Sequence, residues 1–512
     1  MFVGKKGKEK ESSDENVYCK NTIMKKFSQA LVWLTLSEVV FNIAAYVVHS
    51  VAGRILGPAD YGRYGLVVTL TTMVIVLIGN GIPTTMSKYL SEVLEKDPKN
   101  IPAIKRKAAL LQVVLIGGIT VLFFLLAPVI SWALRDPSLT PLFRLSAFII
   151  PAFAAASFYH HYLTGLHLFK LQAIVKIVRS FARVGFIALA AVYFGLNGAV
   201  AGYVLAPLLT FGAALLIDEF YVKRKLGLGT KTLGHDFDFP AKTILAYAGP
   251  LTLFLVFYEL LLTVDLYFVK ALLQDDHLTG LYNAAITIGR IPYYLFAALA
   301  MIMLPAISKT TAERNATETT SLVNKALRLM TLLLFPMITL MIVYAPQILH
   351  FFYGARYDGA ENAMSIFSLG VGFLTVFYVL AFALNGAGLV RVPMKLSFFG
   401  FLAMVVLNFL FIPSFGIAGA ALAATLTAFV LMLGILAYTK IHFRVHISWK
   451  TAVLSIISAF LIAFSSRFLP EGTYSFLASG TVLFAFYFIL LWLFGELTDD
   501  DLAPFHKFFG RG

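Results

Sequence analysis

Fourteen runs of about twenty mostly apolar residues, each long enough to cross a bilayer, divide this chain. They fall near 27–53, 62–87, 108–134, 141–165, 171–194, 198–222, 243–270, 280–307, 326–352, 361–387, 394–413, 417–440, 449–468 and 474–495. Of the 512 residues, 59% are hydrophobic and 13% charged, against roughly 25% charged in a soluble domain. A core buried in water could not hide that much apolar surface, so the solvent must be lipid. Pro151, Pro207, Pro250, Pro292 and Pro336 sit inside the runs, where neighbouring helices can re-satisfy the freed backbone groups. The expected fold is an all-α integral membrane protein with about fourteen transmembrane helices.

The net charge of +14 would suit nucleic acid, but most charges lie in short loops between apolar runs, so no nucleic-acid partner is expected. Lys and Arg set orientation instead. The first 26 residues carry Lys5, Lys6, Lys8, Lys10, Lys20, Lys25 and Lys26. The loop after the second run carries Lys88, Lys96, Lys99, Lys105, Arg106 and Lys107; the loop after the sixth carries Lys223, Arg224, Lys225, Lys231 and Lys242. The alternate loops hold little beyond Arg54, Arg63, Arg135 and Arg144. Both termini are therefore expected on the cytoplasmic side of the cell membrane. Asn315-Ala316-Thr317 fits a glycosylation sequon but falls on that side, and reads as chance. The polar, basic start lacks a small-residue cleavage site and reads as a tail rather than a signal peptide. Cys19 is the single cysteine, which excludes a disulfide framework and a Cys-based metal site.

The chain also repeats itself. Residues 52–91 contain a Gly-Pro turn, an apolar run and a basic landing site, and 270–309 are a weaker copy. Gly62-Arg63-Tyr64 answers Gly280-Leu281-Tyr282 at an offset of 218, and Ser87-Lys88 answers Ser308-Lys309 at 221. Thr164-Gly165 pairs with Asn385-Gly386, and Gly195-Leu196-Asn197-Gly198-Ala199 with Gly416-Ile417-Ala418-Gly419-Ala420, both at 221. Six spans per copy is an even number, so the copies cross in the same sense, and a substrate path is expected between them. The organisation read from this is a polar tail (1–26), a six-helix lobe (27–222), a basic linker (223–242), a second six-helix lobe (243–440), two added helices (441–496) and a cytoplasmic tail (497–512).

The segments LGPADYGRYG, GIPTTMSKYLSE and VDLYFVKALLQDDHLTGLYNAA resemble the polysaccharide-biosynthesis or Wzx-type flippases. That family shares the MOP superfamily with the MurJ lipid II flippases and the MATE multidrug antiporters. The resemblance runs from about Lys25 to Phe494. It implies a transporter of lipid-diphosphate-linked oligosaccharides that alternates access between two lobes. Asp265 and Gly280-Leu281-Tyr282 stand where the family has its Asp and its Gly-x-Tyr. The partners implied are the lipid-linked oligosaccharide, membrane lipids, H+ or Na+ as coupling ion, and glycan-assembly enzymes. The alternative is a MATE-like cation-coupled multidrug antiporter; a third possibility is a non-transporting scaffold for polysaccharide assembly.

Charges inside the spans mark candidate sites, since each costs at least about 2.5–3.5 kcal/mol at the bilayer centre and must face protein or water. Thr35, Glu38, Asn42 and His49 form one stripe on the first span, with Glu38 as a proton or cation site or as part of a hydrogen-bonded seam. Gln172, Lys176, Arg179 and Arg183 form a basic stripe on the fifth, suited to a diphosphate through bidentate bonds, or to snorkelling of Lys176 and Arg179. The corresponding second-half positions are Ser397, Gly400 and Met404, so the stripe is no part of the shared scaffold. Glu259 and Arg290 should lie at similar depth and pair, either as structure or as a pair that substrate phosphate breaks. Asn283 and Tyr294 should share the side of Arg290. Asp265 is a coupling acid or a solvated helix-end residue. His160, Thr164 and His167 share a face, more in keeping with hydrogen-bonded structure than with titration, and His160 and His161 have no third ligand for a metal. Arg54 and Arg63 sit at the outer ends of the first two spans; Arg63 is expected to cap or anchor the Gly57-Pro58 turn, the alternative being a role in receiving substrate phosphate at the outer mouth. No P-loop motif is present and no loop suits a catalytic domain, so neither an enzyme nor a cofactor is expected.

Overall fold

The computed structural model describes the backbone of residues 5–78, 81–96, 98–226, 241–445, 449–470 and 472–497, and their side chains except those of 5–31, 76–78, 95–96, 225–226 and 241–252. The described residues contain helices and no strands. The α-helices are α1 (Lys5–Ile78), α2 (Gly81–Lys96), α3 (Ile101–Ala133), α4 (Thr140–Ser146), α5 (Ile149–Gly165), α6 (Phe169–Ile217), α7 (Lys223–Leu226) and α8 (Ala241–Leu273). They continue as α9 (Asp276–Gly289), α10 (Ile291–Ala312), α11 (Ala316–Val343), α12 (Ala345–Tyr353), α13 (Glu361–Gly386), α14 (Arg391–Phe443), α15 (Trp449–Ser465) and α16 (Ser475–Leu493).

Ten segments among the described residues are long and apolar enough to cross a membrane. Three of the helices in them, α1, α6 and α14, are broken in the middle at Gly57, Gly195 and Gly416. Each of those three carries two spans, and with α8 the number of spans comes to about fourteen. The breaks carry the repeat in their geometry. Gly195 has φ 56°, ψ −139°, and Gly416, 221 positions on, has φ 58°, ψ −137°; only glycine adopts such angles without strain. Three residues beyond each, the backbones close up. A Cβ on Gly198 would lie 1.9 Å from the Ala190 oxygen, and one on Gly419 would lie 2.2 Å from that of Phe411. The repeated pentapeptide thus writes the same pinch between consecutive spans twice.

Several runs read as single spans are interrupted. The 280–307 run breaks at Arg290 between α9 and α10, and 326–352 breaks at Tyr344 between α11 and α12. Pro292 and Pro346 open the new helices, where a missing N–H is harmless. The 141–165 run breaks between α4 and α5 at 147–148. The 62–87 run splits into the end of α1 and the start of α2, whose Pro83 is in its first turn. Asn315 caps α11: its side chain accepts from Glu318 N at 3.1 Å and donates to Glu318 Oε2 at 2.9 Å.

Contacts group the chain into two compact units. The first comprises Met1–Ala52, Ile78–Leu126 and Leu142–Phe239. Its core joins Met86 and Leu90 of α2 to Ile104 of α3, Tyr162 of α5 and Ala214 of α6. On α3, Val113, Leu122 and Leu125 are exposed, as apolar side chains can be where lipid is the solvent. The second unit comprises Gly53–Leu77, Ala127–Pro141 and Pro240–Gly512. Here the two added helices are fastened to α11: Leu332 packs with Ile462 of α15 and with Leu483 and Tyr487 of α16.

Candidate functional site

In the first unit the two polar stripes meet. Lys176 of α6 is ion-paired with Glu38 of α1, so it does not snorkel. Phe41, one turn beyond Glu38, is the common platform of the basic stripe. Lys176 Nζ lies 5.0 Å from its ring centre, and the guanidinium carbons of Arg179 and Arg183 lie at 5.1 and 4.8 Å. Arg179 also faces Phe153 at 4.9 Å. Cations over aromatic faces are held by the ring quadrupole, which is how a low-dielectric interior can keep three like charges together. Among the described residues Glu38 is the one carboxylate that pairs with them, one acid against three cations. Arg183 Nε and Nη2 are buried without a hydrogen-bond partner among the described residues, a planar fork of the kind that engages an oxyanion.

The rest of the first stripe behaves differently. Asn42 Nδ2 donates to the Glu38 carbonyl at 2.9 Å, within its own helix. His49, two turns on, is half-buried. Gln172 is buried and lies 2.8 Å from His160 Nε2. His167 does not share the face of His160: α5 ends at Gly165, and His167 takes a left-handed φ of 55° in the turn that follows, stacking on Phe169.

The second unit holds the other two candidate acids, Glu259 and Asp265. Asp265 of α8 is completely buried, which corrects its reading as a solvated helix-end residue. Tyr282 donates to its Oδ2 at 2.6 Å, and the Leu266 N–H lies 2.9 Å from Oδ1. The expected Glu259–Arg290 pair is not formed. Arg290 donates to the Leu262 carbonyl and faces the Phe367 ring at 5.9 Å. The break at Arg290 removes it from the helical projection that would have aligned it with Glu259. That break also puts Asn283 on α9, donating to the Tyr61 carbonyl at 3.2 Å, and Tyr294 on α10, half exposed. Glu259 is half-buried, its carbonyl accepting from Thr263.

Arg63 does not anchor the Gly57-Pro58 turn either. Its Nη2 donates to Ser138 Oγ at 2.5 Å, and its Nε lies 3.9 Å from Asp276. This joins it to a network centred on buried Lys270, which pairs with Asp136 at 2.8 Å and with Asp276. Burial opposes ionisation of Asp136, but hydrogen bonds from Lys270 and Ser138 and the charges of Lys270 and Arg63 outweigh it and hold its pKa below the ordinary 3.8. The turn itself packs on α9: a Cβ on Gly280 would lie 1.8 Å from the Pro58 oxygen. Beside it, Tyr61 and Tyr353 share a 2.9 Å hydroxyl contact, and Arg54 caps α12 through the Phe351 and Phe352 carbonyls at 2.5 and 2.9 Å. Phe41, Lys270 and Asp136 carried no signal as site residues, because a single aromatic in an apolar run and charges at span ends are ordinary features of any membrane chain.

Comparison with known proteins agrees with this architecture. The profile of the family described as polysaccharide biosynthesis protein matches residues 27–311, and that of MatE matches 250–410. Stage V sporulation protein B of Bacillus subtilis is 25% identical over 93% of this chain and 97% of its own length. A putative O-antigen transporter of Shigella flexneri is 23% identical over 55% of this chain and 65% of its own. The solved structure of the lipid II flippase MurJ, in an inward closed conformation, superposes with a TM-score of 0.70 at 15% identity, covering 90% of this chain and 98% of that one. With more than half its length matched by the family profile, the chain belongs to the polysaccharide biosynthesis protein family, as a multi-pass membrane transporter of the MOP superfamily rather than an enzyme.

Proposed function

We propose that this transporter is a flippase for lipid-diphosphate-linked oligosaccharides, destined for surface polysaccharide or glycan synthesis. It alternates access between two six-span lobes, 27–222 and 243–440, with both termini cytoplasmic. The observation that carries the reading is the trio Lys176, Arg179 and Arg183 around Phe41, opposed by Glu38 and with two donors of Arg183 unpaired among the described residues. A diphosphate must leave the headgroup layer to cross. Fixed guanidinium groups replace part of its hydration with charge-assisted hydrogen bonds. The family membership and the likeness to a lipid II flippase support the same class of cargo. H+ or Na+ coupling through Glu38, Glu259 or Asp265 belongs to this reading, as does handover to glycan-assembly enzymes.

The match to the MatE profile favours a second reading, a cation-coupled multidrug antiporter. A positive cluster repels the cationic compounds it would carry, and so counts for the first. The deciding experiment is reconstitution in vesicles with a labelled polyprenyl-diphosphate glycan, measuring its access from both leaflets with and without a pH or Na+ gradient. Wild type should move the glycan and Arg183→Glu should not, at equal incorporation. Full activity of Arg183→Glu removes the stripe from the mechanism. Export of cationic dyes without glycan movement establishes the second reading instead.

A further inference from the structure

Along the Gly-x-Tyr repeat, all of it within the second unit, residues meet their own counterparts. Gly62 and Gly280 are 218 positions apart, as are Pro58 and Asp276, and Gly65 and Asn283. A Cβ on Gly280 would overlap the Pro58 oxygen, and one on Gly62 would lie 2.8 Å from the Asp276 oxygen. A Cβ on Gly65 would overlap the Asn283 side chain, whose Nδ2 donates to the Tyr61 carbonyl at 3.2 Å. A contact in which each residue faces its equivalent lies on the two-fold axis relating the partners. For parallel repeats that axis runs along the membrane normal, and the substrate path between the copies follows it. The seam therefore stands across the path.

Polar contacts fasten the chain around it. Arg54 donates to the Phe351 and Phe352 carbonyls, Tyr357 donates to the Gly53 carbonyl at 2.8 Å, and the Tyr61 and Tyr353 hydroxyls lie 2.9 Å apart. Lys270 pairs with Asp136 at 2.8 Å and with Asp276, which Arg63 also approaches at 3.9 Å. Arg54, Asp136, Lys270 and Tyr353 are all at span ends opposite the Lys-rich loops. Asp276 belongs to both parts: its carbonyl lies against Gly62 and its carboxylate takes Lys270. Parting the seam therefore pulls on the ion pairs. These are contacts that water can replace, each hydrogen bond being worth about 0.5–1.5 kcal/mol net. A lasting attachment in the same unit is built differently: Leu332, Ile462 and Leu483 join α11, α15 and α16 through side chains that gain nothing from water.

We propose that this seam is the outer gate of the transporter, shut in this conformation, with Lys270 as its latch. Residues 53–77 and 127–141 part from α9 and α12 when cargo leaves. The inference rests on the alternating access of the proposed function, but not on which cargo is carried.

The test uses the full chain carrying Cys19→Ser, in vesicles. Two cysteine pairs straddle the seam: Arg63→Cys with Asp276→Cys, and Arg54→Cys with Phe351→Cys. A short, reducible thiol crosslinker should tie either pair and arrest movement of a labelled polyprenyl-diphosphate glycan, and reductant should restore it. The second readout needs no cargo. Asn283→Cys, buried in the seam, should react with a maleimide about tenfold faster once Lys270→Met removes the latch, a shift of ~1.4 kcal/mol. Ile462→Cys, buried between α11 and α16, should react no faster. Hydrogen exchange in α9 should rise with Lys270→Met on the chain without added cysteines. Glycan movement at full rate through a tied seam overturns the gate. Equal labelling of Asn283→Cys with and without Lys270→Met, together with unchanged exchange in α9, overturns the latch. Faster labelling at both cysteines means loss of fold in place of opening, and overturns it too. If the untied chain moves no glycan, the proposed function fails, and labelling and exchange still decide the gate.

Discussion

Gly62 and Gly280, 218 positions apart, press backbone against backbone: a Cβ on Gly62 would lie 2.6 Å from Gly280 N, and one on Gly280 would lie 1.8 Å from the Pro58 oxygen. These are the first residues of the repeated Gly-x-Tyr, and their tyrosines, Tyr64 and Tyr282, are fully buried. The two copies of the motif therefore meet each other. Because the atoms in the way belong to backbone, no rotamer change relieves the overlap. Gly280→Ala is expected to destabilise by about 2 kcal/mol or more, read as a lower melting temperature in detergent. Gly117→Ala is the control. Nothing lies within 4 Å of its Cβ position, and alanine in mid-helix should stabilise by about 0.5–1 kcal/mol.

Tyr282 and Asp265 make the next prediction. Both are completely buried, and the phenol donates to the carboxylate at 2.6 Å. Tyr282→Phe strands a buried acceptor and should cost about 1–3 kcal/mol. Asp265→Asn keeps an acceptor for the phenol and should cost less. A double-mutant cycle in thermal unfolding measures the coupling directly. Additive losses would mean that the two side chains do not hold each other.

The Lys270 network predicts a dependence on acid. The folded pKa of Asp136 lies below its ordinary 3.8. Its ionised form therefore adds stability that is present above 3.8 and lost as pH falls through the lower folded value. Asp136→Asn should melt at a lower temperature than wild type near neutral pH, and the gap should close as pH is taken below 3.8. Lys270→Met leaves Asp136 and Asp276 facing each other without their shared cation, and a loss of about 3 kcal/mol is expected. Melting curves from pH 7 down to 3 check both, and a gap that widens in acid would contradict the ion pair.

Much of this was legible in the sequence because it depends on local rules. Lipid as solvent forces long apolar runs, and the Gly195 and Gly416 pentapeptides encode nearly the same dihedrals because glycine alone tolerates them. The Lys176, Arg179, Arg183 stripe followed from helical spacing. Other features depended on how far a helix continues, which apolar periodicity does not report. The break at Arg290 gave that side chain a backbone carbonyl in place of Glu259, and the end of α5 at Gly165 removed His167 from the face of His160. Lys270 and Asp136 are 134 positions apart, and nothing local to either announces the other. Phe41 was hidden by its chemistry, since a phenylalanine in a span is the default occupant until three cations are found around it.

Glu38 provides the sharpest test of that cluster. It is largely exposed at its carboxylate end, with 60% of its side chain accessible, while Lys176, to which it is paired, is 12% accessible. Within the proposed function the carboxylate is a resident counter-ion that a diphosphate must displace from Lys176. Glu38→Gln removes the competitor and its negative charge and keeps the side chain's shape. Binding of a polyprenyl diphosphate should tighten by about tenfold, equivalent to ~1.4 kcal/mol, and should weaken more steeply with added salt because the cluster is then more positive. The measurement is equilibrium binding of a fluorescent polyprenyl diphosphate to the protein in detergent at several ionic strengths. Movement across vesicles need not speed up, since tighter binding of the ground state does not by itself lower the barrier to the step that follows. Weaker binding by Glu38→Gln would mean that the carboxylate helps to hold the ligand, which would make Glu38 part of the ligand's seat and not its rival.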